Sequence, residues 1–267
     1  MVRLFEIVVL GSTLTVLAGC GNGGEQPSYG QVKLGDLALV GGVERLGDQA
    51  IRMINLDVVT FEFPAEKLDA LQDIRAMLNT KAPRSSDPNA FRANSFWAGA
   101  APPRILQTTV DRLTAAGGSK TDTISLLIPD GSSETVNIAR IARKRDISFL
   151  SRRNWPDKVN VGPGYLALRV SAARPPGPAL VYTVQVTPIF LPKTRGLTPK
   201  LAERLRANQV RFSSAAFALR MKIGDFVLLM PLRPCDEPST LCGLFFFGGA
   251  SDKRTFKAYL LTCTNIS

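Results

Sequence analysis

The sequence predicts an α+β fold, with a small strand-helix-helix region joined to a larger antiparallel, β-rich and sandwich-like region. Three observations carry this expectation. A β-branched and aromatic run leads directly into an amphipathic helical pattern. After Gly117-Gly118 helical periodicity gives way to recurring strand runs with turn residues between them. Finally, the 267 residues are 45% hydrophobic, enough to fill a core that covers more than one sheet face.

Residues 54–63 (INLDVVTFEF) alternate and read as the first strand. Pro64 then suits the first position of a helix, Glu66 suits its first turn, and Leu68, Leu71, Ile74, Met77 and Leu78 share one face. A polar loop with Pro83 and Asp87-Pro88 leads to Phe91, Phe96 and Trp97, aromatics expected to fill core beside a helix. The second helical pattern covers 103–116, with Ile105, Leu106, Val110 and Leu113 as its apolar face and Gly117-Gly118 as its stop. TISLLIPDG, TVNIARIA, ISFLSRR, YLALRVSA and LVYTVQVTPIF follow as strands, with Gly162-Pro163-Gly164 and residues 174–178 as turns. Thr198 and Pro199 predict a short helix over 198–208. FALRMKIGDFVLLMP reads as two strands around Ile223-Gly224-Asp225, and GLFFFGG and TFKAYLLTCTNI as the closing strands. In a strand, consecutive Phe245, Phe246 and Phe247 cannot all point the same way.

The chain contains no histidine. Ser-His-Asp and Cys-His nucleophile pairs, His-ligated zinc and a histidine general base are therefore excluded within it. No nucleotide-binding glycine loop and no Ser-x-x-Lys motif occurs. Asp69 and Asp73 lie four apart on a helix, but the inward pattern of Leu68 and Leu71 turns both towards solvent. No catalytic residue, cofactor or metal site is expected.

The first twenty residues place Arg3 before an apolar stretch from Ile7 to Ala18, too short to span a bilayer, and end in Leu17-Ala18-Gly19-Cys20. This quartet resembles the lipobox of bacterial lipoproteins. The resemblance implies an export signal over 1–19 and a Cys20 that carries a diacylglycerol and an amide-linked acyl chain such as palmitate. Two chains provide the stable anchoring that one does not. Residues 20–33 then comprise the lipidated cysteine and a flexible tether with a reach of roughly 20 Å. Gly21, where an inner-membrane signal prefers Asp, implies the periplasmic face of the outer membrane. Residues 34–118 form the expected mixed α/β region and 119–267 the β-rich region. Signal removal takes away Arg3 and Glu6, so the formal charge of +11 belongs to the exported protein.

Cys235, Cys242 and Cys263 are disulfide candidates in an oxidising compartment: either Cys235 with Cys242 around CDEPSTLC, or Cys263 with one of them. Three cysteines without histidine and without C-x-x-C lack the usual zinc spacing. Arg140, Arg143, Lys144, Arg145, Arg152 and Arg153, with Lys158 nearby, form a basic run that suits an anionic envelope surface or a charge-protected strand edge. Export argues against nucleic acid.

Gly224-Asp225, Gly243-Leu244-Phe245 and Tyr259-Leu260-Leu261 resemble the end of a bacterial secretin's membrane-inserting domain. The proline of that family's Gly-Asp stretch is missing here, and the Cys235–Cys242 loop is inserted. The chain as a whole also resembles bacterial lipoproteins with NLDV-type first strands, a resemblance that implies no activity. The expected function is that of a lipid-anchored envelope protein with a binding, structural or assembly role, its partner a protein, lipid or glycan. A secretin-like channel component and a histidine-independent hydrolase are the alternatives.

Overall fold

The computed structural model describes residues 52–78, 83–176, 180–194, 200, 209–249 and 254–266. Cys20 and the tether, and the helix expected over 198–208 apart from Lys200, lie outside the described residues.

The described chain is mostly antiparallel β-sheet with a few short helices. β1 (Met53–Pro64) passes through a 3₁₀ turn (Ala65–Leu71) into α1 (Gln72–Leu78). β2 (Arg84–Ser85), α2 (Pro88–Ala93) and β3 (Phe96–Ala101) precede α3 (Leu106–Ala115). Next come β4 (Ser119–Pro129), β5 (Ser133–Ile141), the hairpin β6 (Arg145–Leu150) and β7 (Pro156–Val161), β8 (Gly164–Ala173) and β9 (Tyr182–Pro192). β10 (Val210–Arg211), β11 (Phe217–Met221), β12 (Phe226–Pro231), α4 (Leu241–Phe246), β13 (Phe247–Gly248) and β14 (Thr255–Ile266) complete the order.

One sheet runs β3-β12-β14-β1-β4 with β13 beside β14, and the other runs β2-β11-β9-β8-β5 with β10 beside β9. Side-chain alternation explains how the first sheet is covered on both faces. Ile54, Leu56 and Val58 of β1, Val227 and Leu229 of β12, and Tyr259 and Leu261 of β14 join Leu166, Leu168, Val170, Val184 and Val186 of the second sheet in one core. The intervening residues Phe61, Phe63, Phe226, Leu228, Phe256 and Leu260 form a second core with Leu68, Leu71, Ile74 and Leu78. This is why FVLLMP and KAYLLTC read as nearly continuous apolar runs: the central strands are sandwiched between a sheet and a helical layer. Phe63 and Phe256, paired in the β1–β14 register, stack with centroids 4.9 Å apart.

Several expectations change. The texture change at Gly118 does not divide the sheet, because β1 lies between β4 and β14 and bonds along nearly its whole length to both. Strands from residues 34–118 and from 119–267 therefore share this sheet where they are described. The two strands flanking Ile223-Gly224-Asp225 belong to different sheets, and the chain crosses between them at Gly224, whose φ of 83° suits glycine. Segment 241–246 is a helix instead of a strand. Thr240 caps it by accepting from the Gly243 N–H at 3.1 Å, and Phe245 and Phe246 are buried in the first core. The polar loop expected around Pro83 and Asp87-Pro88 contains β2 and the start of α2. Asp87 caps α2 by accepting from the Ala90 N–H at 2.9 Å, and Pro88 occupies its first turn. β3 follows, with Trp97 folded over Gly99, where any Cβ would overlap the indole ring and Leu78.

Candidate functional site

A cleft of about 730 Å³ lies between the β6–β7 hairpin and the segment 233–242. Its apolar lining includes Phe149, Leu150 and Leu241, while Asp157, Lys158, Asp236 and Glu237 stand on it as exposed charges. The hairpin is not part of either large sheet; Ile147 and Val161 bury into the first core, and specific bonds tie its tip. Asn94, at the end of α2, is 7% exposed and provides several of them. Its Nδ2 donates to Leu150 O at 2.6 Å and to Ala90 O at 2.8 Å, and its Oδ1 accepts from Leu150 N at 2.7 Å. Asp87 adds a second tie: Oδ2 accepts from Arg153 N at 2.9 Å while Oδ1 caps α2. These backbone N–H groups, together with nearby Arg152, hold the Asp87 carboxyl below its ordinary value.

The opposite wall is fastened at both ends. Cys235 and Cys242 form a disulfide across a sequence separation of seven. Arg254 lies over the Phe247 ring at 5.1 Å, donates to Cys235 O and pairs with Asp236 at 3.3 Å. Ser95 supplies the floor hinge. Its φ is 63°, its carbonyl accepts from Leu232 N at 2.7 Å and its hydroxyl accepts from Arg233 Nε at 2.9 Å. Hairpin and loop meet where Ser148 N donates to Ser239 O at 2.9 Å and Arg145 donates to Pro238 O at 2.8 Å. Sequence reading pointed to the cysteines but not to Asn94 or Ser95. A lone asparagine and serine near a helix end have no spacing that marks them.

Reducing the disulfide is expected to loosen this wall. A closed loop this short corresponds to roughly 2 kcal/mol of unfolded-state entropy, and hence a Tm lower by about 4–8 °C. Calorimetry with and without reductant measures the difference, and the Cys235→Ala/Cys242→Ala variant should melt at the reduced temperature in both conditions. An unchanged Tm on verified reduction would show the loop to be held by other contacts alone. Cys263, the remaining candidate, is a free and fully buried thiol in β14, pushed up to about 11 by burial and by Asp225, and so stays neutral at ordinary pH.

The basic run does not gather into one patch. Arg140 lies on the outer side of β5 beside Tyr165 and Lys193, in a smaller concavity of about 450 Å³. Arg143 and Lys144 are exposed between β5 and β6, and Arg145 is committed to the Pro238 carbonyl. Arg152 and Arg153 are at the other end of the hairpin. Lys158 pairs with Asp146 at 2.7 Å, and that bond, then one from Asn160, keeps the Asp146 carboxyl below its ordinary value.

Asp69 and Asp73 are exposed, as are the cleft acids Asp157, Asp236 and Glu237. Among the described residues no group of three or more Cys, Asp or Glu is placed to hold a metal ion. No helix among them is long and apolar enough to cross a membrane.

No protein family and no protein of curated function matches the chain. Among solved structures, it is similar to the secretin domain β-barrel of InvG from the Salmonella SPI-1 injectisome base, at 10% sequence identity and a TM-score of 0.25. The alignment covers 81% of this chain and 63% of that one. A likeness this distant carries no argument about fold or activity.

Proposed function

We propose that this chain is an exported lipoprotein, anchored through Cys20 at the periplasmic face of the outer membrane, whose body binds an envelope partner. The cleft beside the disulfide is the observation that supports binding. It combines an apolar floor with a rim carrying charges of both signs, the composition of a recognition site. A carboxylate-pair hydrolase requires two acids facing an enclosed space, and the acids on this cleft are exposed. The anchor rests on Leu17-Ala18-Gly19-Cys20 and its preceding apolar run. The partner is a protein, lipid or glycan of the envelope.

Cys20→Ser is expected to move the protein from the membrane fraction to the soluble fraction of the envelope, without the mass of an acylated N-terminus. A variant that still pellets with membranes defeats the anchoring reading. For the cleft, a photo-crosslinking residue at Ser148 should trap an envelope component at a defined mass, and one at exposed Leu127 on β4 should not. Equal yields from both positions would remove the cleft from the proposal.

A further inference from the structure

The outer face of the second sheet carries a basin that the basic run of the sequence does not describe. Four arginines line it: Arg84 from β2, Arg152 from the hairpin tip, Arg169 from β8 and Arg211 from β10, around a volume of about 560 Å³. The pairing register explains why residues so far apart in sequence meet. Arg169 is opposite Thr187, Ser171 is opposite Gln185, Gln185 is opposite Ala218, and Ala218 is opposite Arg84. With a side-chain period of two, these positions face the same side, away from the core that holds Val170, Val186 and Phe217. Arg211, opposite Ile189, is presented on that side as well.

The basin is unusual in how little opposes its charge. No carboxylate lines it, and none of the four arginines forms an ion pair among the described residues. Asp87 is close enough to feel the Arg152 charge, but it accepts from the Ala90 and Arg153 backbone. The Nε of Arg169 is buried without a hydrogen-bond partner. An unmet buried donor is costly, and charged donors of one sign brought together repel. Partial burial, and after it the proximity of Arg211, accordingly holds the Arg169 guanidinium below its ordinary value. The remaining polar lining is Ser, Thr and Gln, side chains that bond to oxyanions without adding charge, beside Ala216, Phe217 and Ala218.

We infer that the basin formed by Arg84, Arg152, Arg169 and Arg211 is a binding site for a phosphate-type oxyanion, whether free or carried by a phospholipid headgroup. Several guanidinium forks converging on one space match the geometry of a phosphate, and the anion relieves both the repulsion and the unmet Arg169 donor. Three of the four arginines lie outside the basic run of 140–158, which contributes Arg152 alone, and none of the four lines the cleft. It is also independent of the anchor.

The test uses the full-length chain carrying Cys20→Ser. Calorimetric titration with sodium phosphate, against sodium chloride at matched ionic strength, measures the free anion. Sedimentation with phosphatidylcholine vesicles containing phosphatidylglycerol, against phosphatidylcholine alone, measures the headgroup. The Arg84→Gln/Arg211→Gln variant should weaken binding by at least about tenfold, and Arg152→Gln should weaken it less. Arg140→Gln/Arg143→Gln, outside the basin, should bind as the parent does. Saturable phosphate binding with this pattern supports a site for free anions, and the same pattern seen only with phosphatidylglycerol supports a headgroup site. Absence of both, or equal losses in the two double variants, overturns the inference. Thermal melts show that each variant is folded, and removing like charges from the basin is expected to leave Tm unchanged or higher.

Discussion

Phe96→Ala is expected to lower the stability of the protein by about 3–5 kcal/mol. Phe96 is fully buried at the start of β3. Its ring centroid lies 4.8 Å from Phe246, 5.7 Å from Phe245 and 5.8 Å from Phe91. Those partners come from α4 and α2, so this one ring joins both short helices to the edge of the first sheet. Tyr259 closes the cluster from β14, its hydroxyl donating to Phe245 O at 3.0 Å inside the core. Truncation removes the apolar transfer energy of the ring and leaves a space that three neighbouring aromatics, themselves fixed by their own partners, cannot readily fill. For a domain of this size the change corresponds to a Tm lower by about 8–15 °C. Phe96→Leu, which retains most of the volume, should fall between the two proteins. A Phe96→Ala variant melting within about 2 °C of the parent would show that the cluster collapses without cost, contrary to this account.

Asn94→Ala is expected to have the second-largest effect, about 2–3 kcal/mol, concentrated on the hairpin. The amide serves three backbone groups at once, two carbonyls and the Leu150 N–H, and alanine leaves both part-buried Leu150 groups without it, while Ala90 O keeps the Asn94 N–H. Asn94→Asp should be at least as damaging, since a carboxylate retains the acceptor for Leu150 N but directs negative charge at Ala90 O and Leu150 O. Amide hydrogen exchange separates this from general destabilisation. Exchange at Leu150 and along β6 and β7 should accelerate, while β14, central in the first sheet, should change only with global stability. Uniform acceleration across both sheets would refute a local role for Asn94. Because Leu150 also lines the cleft, loosening here should reduce crosslinking from Ser148 as well.

How much was legible follows from how local each signal is. β1, β4, β8, β9 and β14 could be read directly, because alternation or a long β-branched run is a property of consecutive residues. α1 and α3 were readable through their proline starts, their apolar spacing and the glycine stop at 117–118. GLFFFGG was misread as a strand because it is apolar throughout, and a six-residue helix buried on several sides shows no helical period. Only its Thr240 cap, seen against Gly243, distinguished it. The stretch around Pro83 and Asp87-Pro88 reads as a polar loop because its prolines and polar residues outweigh a single turn of helix, although Asp87-Pro88 is a helix-start pair. The basic run drew attention through density in sequence, whereas the arginines that share a basin are spread from 84 to 211.

By itself the sequence determined the absence of histidine chemistry, the lipobox-like Leu17-Ala18-Gly19-Cys20, the formal charge of +11, and which stretches favour strand. The tertiary structure alone decided that β1 lies between β4 and β14, that Phe96 holds two helices to a sheet, that Asn94 fixes a hairpin, and that Arg84, Arg152, Arg169 and Arg211 share one space. The physical reason is range. A side chain's preference for a pleated or helical backbone is set by its neighbours along the chain, while strand order and register are chosen by burial summed over distant segments. Which charges meet is then a consequence of that register.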